Sequence, residues 1–397
     1  MTQNKTNKVS NVPPLRFPEF SGEWEKFALS DFAERVTRRN KGNACRLPLT
    51  ISAQYGLVDQ ITFFNKQIAS ADMSNYYLMK KGEFTYNKSY SGDYPWGAVK
   101  RLDRYDEGCL SSLYICFSLK PFVNSDFITH YFETGKWYRG ISEIAGEGAR
   151  NHGLLNIAIP DYFATKHYLP ANSEEQQKIA NLFNLLTKRI ETQIRVIEDL
   201  QTLKKAIIER SYNAGGKVHK IGELIEQVSK RNKSNDYPVL SVNNRLGFIE
   251  QADQFEDRTV ASDDTSNYKV VSTNDFAYNP ARINVGSIAR LKDRTNGIVS
   301  PMYVCFRTKD KLLPEYMEHF FDTTYFKHEM FKRLEGSVRL CLSYEGLCNI
   351  SMSIPSIQEQ KKLSNRLSAI EQKIQIESKI LKAYKMQKSY LLQQMFI

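Results

Sequence analysis

The sequence lacks the patterns that mark a membrane protein, a secreted protein or a metal protein. No run of about 18 apolar residues is present, and a membrane-spanning helix needs one. The first residues are polar, so no secretory signal is found there and we expect a cytoplasmic protein. The six cysteines form no Cys-x-x-Cys pair, and none of the six histidines stands at ligand spacing. This predicts neither a zinc site nor disulfides.

Catalytic motifs are lacking as well. Gly215-Gly216-Lys217 has no upstream glycine and follows a helical pattern, so it does not match a phosphate loop. Gly146-Glu147-Gly148 lacks the third glycine of a dinucleotide fingerprint. The segment from Asn279 to Arg282, Asn-Pro-Ala-Arg, departs at two positions from the Asn/Asp-Pro-Pro-aromatic turn of amino-methyltransferases. We therefore predict a non-catalytic protein.

What the sequence does have is an excess of positive charge, with 55 Lys and Arg against 44 Asp and Glu. The basic residues gather in predicted loops and element ends, among Tyr, Asn and Ser. Lys and Arg neutralise phosphates, and the forked groups of Arg and Asn discriminate bases. A net charge of +11 in this arrangement predicts DNA binding. The candidate DNA-binding residues are Arg38, Arg39, Lys88, Tyr90, Lys100, Arg101, Arg150, Asn151, Lys230, Arg231, Arg282, Asn284, Arg290, Lys292 and Arg339.

These candidates divide into two expected roles. Lys100, Arg101, Arg290 and Lys292 lie near predicted strand ends and are expected to contact phosphates. We expect base contacts instead from Arg150, Asn151, Arg282 and Asn284.

The two halves of the chain repeat each other. Four separated blocks align in the same order, at an offset that falls from 192 to about 189: 29–40 with 221–232 (Leu-Ser-Asp-Phe with Ile-Gly-Glu-Leu), 74–87 with 266–279, 97–102 with 286–291, and 114–117 with 303–306. Chance does not keep such an order. The chain is therefore a tandem duplication, and its basic clusters recur at equivalent positions.

Each half begins with short β-rich patches between turn residues and ends in a long helical pattern. In the first half, Ser173 to Gln176 matches a capping box, and Gly215-Gly216 marks the end of the helix. The apolar residues that follow recur every 3.5 residues on average, which is the coiled-coil period. The first seam is Ile179, Phe183, Leu186, Ile190, Ile194, Ile197, Leu200, Leu203 and Ile207. The second is Leu363, Leu367, Ile370, Ile374, Leu381, Tyr384, Leu391 and Met395.

These patterns predict an α+β fold in which two tandem α+β domains are joined by two long helices. The helices are expected to form an antiparallel coiled coil with pseudo-two-fold symmetry, although each could instead pack onto its own domain. Glu377 and Lys388 fall on the second seam, where they could fix the register or face solvent. The predicted boundaries are a disordered tail at 1–14, a domain at 15–171, a helical spacer at 172–214, a second domain at 215–356 and a second spacer at 357–397.

At this point the residues resemble a known family, the specificity subunits of type I restriction-modification systems. The markers are the segment from Leu15 to Trp24, and a proline followed by a Glu-Gln motif that opens each long helix: Pro170 with 174–180 and Pro355 with 358–363. The resemblance implies two target-recognition domains, each reading one half of a gapped, bipartite DNA site. It also implies that the paired helices set the gap.

The same resemblance implies partners. Two methyltransferase subunits and the motor-nuclease subunits would use S-adenosylmethionine, ATP and Mg²⁺, and the chain itself would bind no cofactor. Helix residues outside the seam are expected to stay exposed on an isolated helix pair and to bind these partners. They are Leu182, Leu185, Val196 and Ile208. Two alternatives remain open: a coiled-coil adaptor without DNA specificity, and a stand-alone DNA methyltransferase or nuclease.

Overall fold

The structure of the chain is a computed structural model that describes residues 11–52, 55–90, 92, 94–145, 153–213, 215–233, 237–244, 246–251, 264–336 and 339–397. Its contacts divide the chain into two units. The first unit is Met1–Gln193 with Ile380–Ile397, and the second is Ile194–Lys379. Among the residues described, no helix is long and apolar enough to cross a membrane. All six cysteines are free.

The first half of the chain contains ten strands and six helices within its described residues. In chain order they are β1 Glu25–Ala28, α1 Leu29–Phe32, β2 Ala33–Arg35, β3 Leu49–Ser52, β4 Gly56–Asp59, α2 Gln60–Phe64, β5 Tyr77–Lys80, β6 Phe84–Asn87, β7 Ala98–Arg101, β8 Glu107–Leu110, β9 Ile115–Leu119, α3 Ser125–Tyr131, α4 Tyr138–Ile144, α5 Ile159–Ala164, β10 Lys166–Leu169 and the long helix α6 Ser173–Tyr212.

The second half repeats this order. Its elements are β11 Lys217–Lys220, α7 Ile221–Leu224, β12 Ile225–Gln227, β13 Val239–Asn243, β14 Gly247–Glu250, β15 Lys269–Ser272, β16 Phe276–Tyr278, β17 Ile288–Arg290, β18 Asn296–Val299, β19 Val304–Thr308, α8 Pro314–Phe320, α9 Thr324–Phe331, α10 Tyr344–Cys348, β20 Ser351–Ile354 and the long helix α11 Ile357–Gln394.

The sheets of the two halves have the same topology. A four-stranded antiparallel sheet, β2-β9-β6-β7, corresponds to β12-β19-β16-β17, and the pair β1-β10 corresponds to β11-β20. The second half has a further sheet, β14-β13-β18-β15, in which β13 and β18 are parallel. In the first half β3-β4 and β5-β8 are joined by one parallel bridge, from Pro48 to Cys109. The predicted α+β class is confirmed, and we call each α+β part a module.

The cores of the modules are also equivalent. In the first, the rings of Phe84 and Phe117 stack with centroids 5.5 Å apart. In the second, Phe276 and Phe306 stack at 5.0 Å. These pairs join neighbouring strands of the four-stranded sheets, at the register positions Phe84↔Phe117 and Phe276↔Phe306. Aromatic side chains at the same register position explain why these blocks remain similar in sequence.

Each long helix is fixed to its module by a buried glutamine. Gln176 donates to the Pro170 carbonyl at 3.0 Å and accepts from the Asn124 amide at 2.8 Å. Gln360 does the same with the Pro355 carbonyl (3.0 Å) and the Leu313 amide (2.9 Å). Buried polar groups need such partners, so the glutamine that follows each proline has a structural role.

The capping box predicted at Ser173 for the first long helix is wrong, and a capping box that was not predicted begins the second. Asn172 rather than Ser173 caps α6, because its side-chain oxygen accepts from the Glu174 amide at 2.8 Å. At the start of α11, Ser356 and Glu359 bond reciprocally, with the Ser356 amide donating to the Glu359 carboxylate at 3.0 Å.

Within each unit the two long helices run antiparallel. In the first unit the start of α6 lies beside the end of α11, where Arg189 donates to the Tyr384 hydroxyl at 2.7 Å. In the second unit Ile207 and Ile208 bury against Leu367. Leu203, expected on the seam, is instead exposed, so that prediction is wrong.

A lysine turns inward at equivalent places on the two helices, 184 residues apart. Lys388 donates to Glu133 and Thr187, both at 2.9 Å. Lys204 bonds Glu371 at 2.7 Å and reaches Asp322 at 3.5 Å. Lys204 therefore takes the inward position beside Leu203. Lys388 is confirmed on the seam. Its ion pair with Glu133, two residues after α3, connects α11 to the first module.

Glu133 is one of the carboxylates in this arrangement. Although burial alone would raise its pKa, the hydrogen bond with His130 and the charge on Lys388 lower the pKa of Glu133 to about 2. Glu377, the other polar seam residue, is also buried and pairs with Lys373 at 2.5 Å. Glu377 and Lys388, the two polar residues on the predicted seam, therefore do not face solvent.

The N-terminal segment packs on the first unit from a lower residue number than predicted. Pro13 is buried, and the Asn11 carbonyl accepts from the Trp24 amide at 2.8 Å, so the predicted loose tail is wrong for residues 11–14. Arg16 forms two hydrogen bonds of 2.7 Å with the buried carboxylate of Glu175 on α6. This bidentate pair connects the Arg-Phe-Pro segment to the start of α6.

Candidate nucleic-acid interface

The strand order brings two loops together at one edge of each four-stranded sheet. Since β6 and β9 are antiparallel, the end of β6 lies beside the start of β9, with Tyr86 opposite Ile115. The β6–β7 loop (88–97) and the β8–β9 loop (111–114) therefore meet there. In the second module the β16–β17 loop (279–287) and the β18–β19 loop (300–303) meet in the same way, with Tyr278 opposite Val304.

A third segment joins these loops in both modules. In the first module the Leu155 amide donates to the Lys88 carbonyl at 2.9 Å, and the Tyr90 amide donates to the Gly153 carbonyl at 3.2 Å. In the second, the Leu342 amide donates to the Pro280 carbonyl at 3.1 Å. The segment that carries Arg339 therefore adjoins the loop that carries Arg282 and Asn284. Arg150 and Asn151, expected to read bases in the first module, lie outside the described residues.

An asparagine shapes the first of these loops in each module. The Asn87 side chain accepts from the Ser89 amide at 3.0 Å, and the Asn279 side chain accepts from the Ala281 amide at 3.1 Å. These Asx turns fix the path of the chain where it leaves the sheet. Three residues after each asparagine the side chains differ, with Tyr90 in one module and Arg282 in the other.

In the second module these loops border a cleft of about 330 Å³. Its lining combines apolar surface with hydroxyl, amide and guanidinium groups: Ser241, Gln251, Tyr268, Asn279, Arg282, Ser287, Ser300, Met302 and Tyr303, with Val239, Leu240 and Val242. Such a set can donate and accept hydrogen bonds at the same surface, as recognition of base edges requires.

A basic strip adjoins the loops. In the second module Arg231 forms a backbone bridge with Lys269, whose ammonium group donates to the Tyr303 carbonyl at 2.6 Å. The Arg231 guanidinium also donates to the Asn267 carbonyl at 3.0 Å. The equivalent Arg39 donates to the Asn75 carbonyl at 2.6 Å and lies 4.2 Å from the ring centroid of Tyr77. These arginines are held in place while remaining exposed.

Arg38, next to Arg39, is engaged differently. Its guanidinium donates to both oxygens of Glu83, at 2.7 and 2.8 Å. A charge-assisted pair of this kind would have to break before Arg38 could bind a phosphate.

Three of the predicted phosphate contacts are likewise engaged inside the modules. Arg101 forms an ion pair with Asp126 of α3 at 2.7 Å. Arg290 makes the equivalent contacts with α8, to Glu315 at 2.6 Å and Glu318 at 3.0 Å, and Lys292 reaches Glu318 at 2.6 Å. These three residues lie at or just after the C-terminal end of β7 or β17, whereas the converging loops lie at the other end of each strand. The structure does not bring them to the converging loops.

Lys100 is placed in a cleft of about 440 Å³ with Glu133 and Lys388. Burial and the charge of Lys388 lower the pKa of Lys100, against the attraction of Glu133. Lys100 therefore lies in a cleft between β7 and the helices, which Tyr94 and Gly97 of the β6–β7 loop also line.

Besides Lys100, four predicted cations have no internal partner among the described residues. Within the described part of the chain, the side chains of Lys88, Lys230, Arg282 and Arg339 make no hydrogen bond or ion pair. Asn284 is exposed and likewise unbonded. Lys88, Arg282 and Arg339 lie on the converging loops, so they are the charges most available to a polyanion. No group of acidic, His or Cys side chains placed to hold a metal is found among the residues that the structure describes.

The residues predicted to bind partners do not form one exposed stripe. Leu185 is 67% exposed, and Val196 is also exposed. Leu182 is half-buried against the core of the first unit. Ile208 is fully buried against Leu367, so its expected exposure is wrong, because the apolar seam widens at that end of α6.

Sequence reasoning missed Leu113 and Met302, which stand at the same position of the β8–β9 and β18–β19 loops. Both are exposed. The signal was present, since each directly precedes the tyrosine of an aligned block. The pattern alone assigns apolar residues beside a strand to the core.

Comparisons with known proteins agree with this organisation. The family model for the type I restriction modification DNA specificity domain matches residues 216–385. The fold is similar to that of the S subunit of a type I restriction-modification system from M. genitalium, with a TM-score of 0.58 at 15% identity over 97% of this chain and 99% of that one.

A second similar fold comes from a structure of the complex assembly and conformational transition of the type I R-M system. The TM-score is 0.54 at 12% identity, over 94% of this chain and 97% of the other. No curated protein is significantly similar in sequence. Residues 216–385 therefore resemble the type I restriction modification DNA specificity domain, and the predicted resemblance of the chain to the S subunits of type I systems is confirmed in its fold.

Proposed function

We propose that this chain reads a gapped, bipartite DNA site, one half-site with each module, and that it directs partner enzymes to that site. The observation that carries the proposal is an Asx turn that recurs at the same place in both modules and is followed by different side chains. Asn87 and Asn279 form the same turn, whereas Tyr90 and Arg282 follow it. Equivalent loops with different side chains suit two readers of different sequences.

The long helices are proposed to set the gap between the half-sites. Helix α6 has 40 residues and α11 has 38, so each is about 60 Å long at 1.5 Å per residue. Without a proline or a break, such helices suit a spacer of fixed length.

The proposed partners are two methyltransferase subunits and motor-nuclease subunits. S-adenosylmethionine, ATP and Mg²⁺ would be used by these partners and not by this chain. Leu185 borders an apolar groove of about 630 Å³ in the first unit, together with Leu182, Leu186 and Tyr384. An exposed leucine in such a groove supports a protein contact on α6.

Exchange of one module tests the central proposal. Residues from about Leu15 to Pro170 would be replaced by those of a relative with a known, different target. Methylated adenines mapped across the genome should change in one half-site only, because the second module is untouched. The reciprocal exchange of 216–355 is the matched control and should change only the other half-site. A change in both half-sites from either exchange would refute independent reading.

Two other functions predict different results. A coiled-coil adaptor would bind its partners without preferring any DNA sequence. A stand-alone methyltransferase or nuclease would modify or cut DNA when the purified chain is incubated with cofactor and no partner.

Two arginines of the second module should behave in opposite ways. Arg282→Ala should leave the free energy of unfolding within about 0.5 kcal/mol, because the side chain is exposed and unbonded. It should weaken binding to the target by roughly 1–3 kcal/mol more than binding to a mismatched site. Arg290→Ala should instead lower the free energy of unfolding by about 2 kcal/mol, since Glu315 loses its partner and Glu318 keeps only Lys292.

Denaturant unfolding and binding isotherms on matched and mismatched duplexes would measure both effects. Equal losses on the two duplexes for Arg282→Ala would remove it from the base readers. A stable Arg290→Ala variant with reduced DNA affinity would restore the phosphate role first expected for Arg290.

A further inference from the structure

The β8–β9 and β18–β19 loops each hold one apolar side chain out of the module. Leu113 is 57% exposed and Met302 is 62% exposed. Both lie in the same turn, closed by the Tyr114 amide on the Ser111 carbonyl at 3.2 Å and by the Tyr303 amide on the Ser300 carbonyl at 3.1 Å. Single exposed apolar residues are common on protein surfaces, but recurrence at the same position of both modules favours a function for these two.

The tyrosine after each apolar residue fixes the turn. The Tyr303 hydroxyl accepts from the Val242 amide at 3.3 Å, and the Tyr114 hydroxyl lies 3.4 Å from that of Thr50. Leu113 and Met302 therefore project from anchored turns and not from loosely held ones. Such a turn keeps its side chain in position before any ligand arrives, which lowers the entropic cost of binding.

The surroundings of Met302 indicate what it contacts. The side-chain Nδ2 of Asn279 lies 3.9 Å from the Met302 Sδ, and Met302 lines the same cleft as the unpaired Arg282. A protein-binding surface is depleted in charge at its centre, whereas this apolar group stands among a guanidinium, an amide and several hydroxyls. A base edge in the DNA major groove has the complementary pattern, because thymine adds an apolar C5-methyl group to hydrogen-bonding neighbours.

We propose that Met302 and Leu113 each contact the C5-methyl group of one thymine, one in each half-site. This inference rests on the proposed function, since the module must bind its half-site for the contact to form. Arg282 and Asn279 would then hydrogen-bond to bases beside the thymine read by Met302. In the first module Tyr90 takes the place of Arg282, so the two half-sites share a thymine contact and differ next to it.

Substitution of single thymines by deoxyuridine tests the proposal, because deoxyuridine lacks only the methyl group. The probe is a duplex carrying the target mapped by methylation, bound by the full chain with its methyltransferase partners. One position in each half-site should weaken binding about four- to fivefold on substitution, as expected for loss of one buried methyl group. Met302→Ala should abolish the thymine–deoxyuridine difference in one half-site, and Leu113→Ala in the other.

The control is Met386→Ala on α11, which removes the same side chain at 64% exposure and should leave both differences intact. Thermal unfolding of each variant checks that the modules remain folded. Met302→Leu should keep most of the discrimination, since it keeps an apolar side chain.

The contrary outcomes are distinct. If the unsubstituted complex prefers its target but no thymine is sensitive, or if Met302→Ala still discriminates, this inference alone is wrong. If Met302→Ala and Leu113→Ala lose methyltransferase binding with the discrimination intact, the turns are protein contacts and the inference is also wrong. A complex that binds target and scrambled duplex equally overturns the proposed function together with it.

Discussion

A variant with seven extra residues in each long helix should methylate targets with a longer gap and unchanged half-sites. The insertions would lie between Ile194 and Leu200 in α6 and between Ile374 and Leu381 in α11. One heptad adds about 10.5 Å of helix and returns the seam to within about 20° of its original phase. Since the DNA rise is about 3.4 Å per base pair, the gap should grow by roughly 1–3 base pairs. Mapping of methylated adenines measures both gap and half-sites.

The matched control inserts the heptad into α6 alone. The two helices then differ in length, so their apolar seams cannot both be satisfied and methylation should fall without a new gap appearing. If the double insertion keeps the gap and alters the half-site bases, the helices do not act as the spacer.

Arg16→Ala should destabilise the first unit by about 3–5 kcal/mol, because it leaves the Glu175 carboxylate buried without its charged partner. That carboxylate is 1% exposed and also accepts from the Trp24 indole at 3.2 Å. Urea unfolding followed by tryptophan fluorescence would measure the loss in the transition of this unit.

An exposed ion pair provides the control. Arg139→Ala removes the partner of Glu143 on α4, where the Arg139 side chain is 89% exposed, and should change stability by less than about 0.5 kcal/mol. The double variant Arg16→Ala with Glu175→Gln should recover part of the loss, since it removes the unpaired charge. A single Arg16→Ala variant as stable as Arg139→Ala would show that the carboxylate finds another partner or becomes hydrated.

The sequence by itself determined the duplication, the α+β class and the two long helices. Each of these follows from a pattern in which neighbouring residues carry the information. The heptad repeat from Ile179 onward and the Gly215-Gly216 stop define α6 within a few residues of its end at Tyr212. The aligned blocks that end in Tyr-Asn lead into the same loop in both modules. The asparagine at the end of each block forms an Asx turn with its own side chain, so this turn depends on local sequence alone.

The sequence was less informative where a helix meets another part of its unit. Leu203 fits the heptad and Ile208 does not, yet Leu203 is exposed and Ile208 is buried. The reason is that Lys204 turns toward Asp322 and Glu371, which are distant in the chain. A periodic pattern places residues around a helix axis, but it does not contain the charge of the surface that the helix will meet.

Only the tertiary structure decided which basic residues are available to DNA. Arg282 and Arg290 are eight residues apart, and the sequence predicts that both bind DNA, one through bases and the other through phosphates. Arg290 is neutralised by Glu315 and Glu318, two carboxylates from a helix about 25 residues further on, whereas Arg282 meets no carboxylate among the described residues. An arginine's availability depends on the acidic groups within about 4 Å of it, and that distance is set by the packing of helix on sheet.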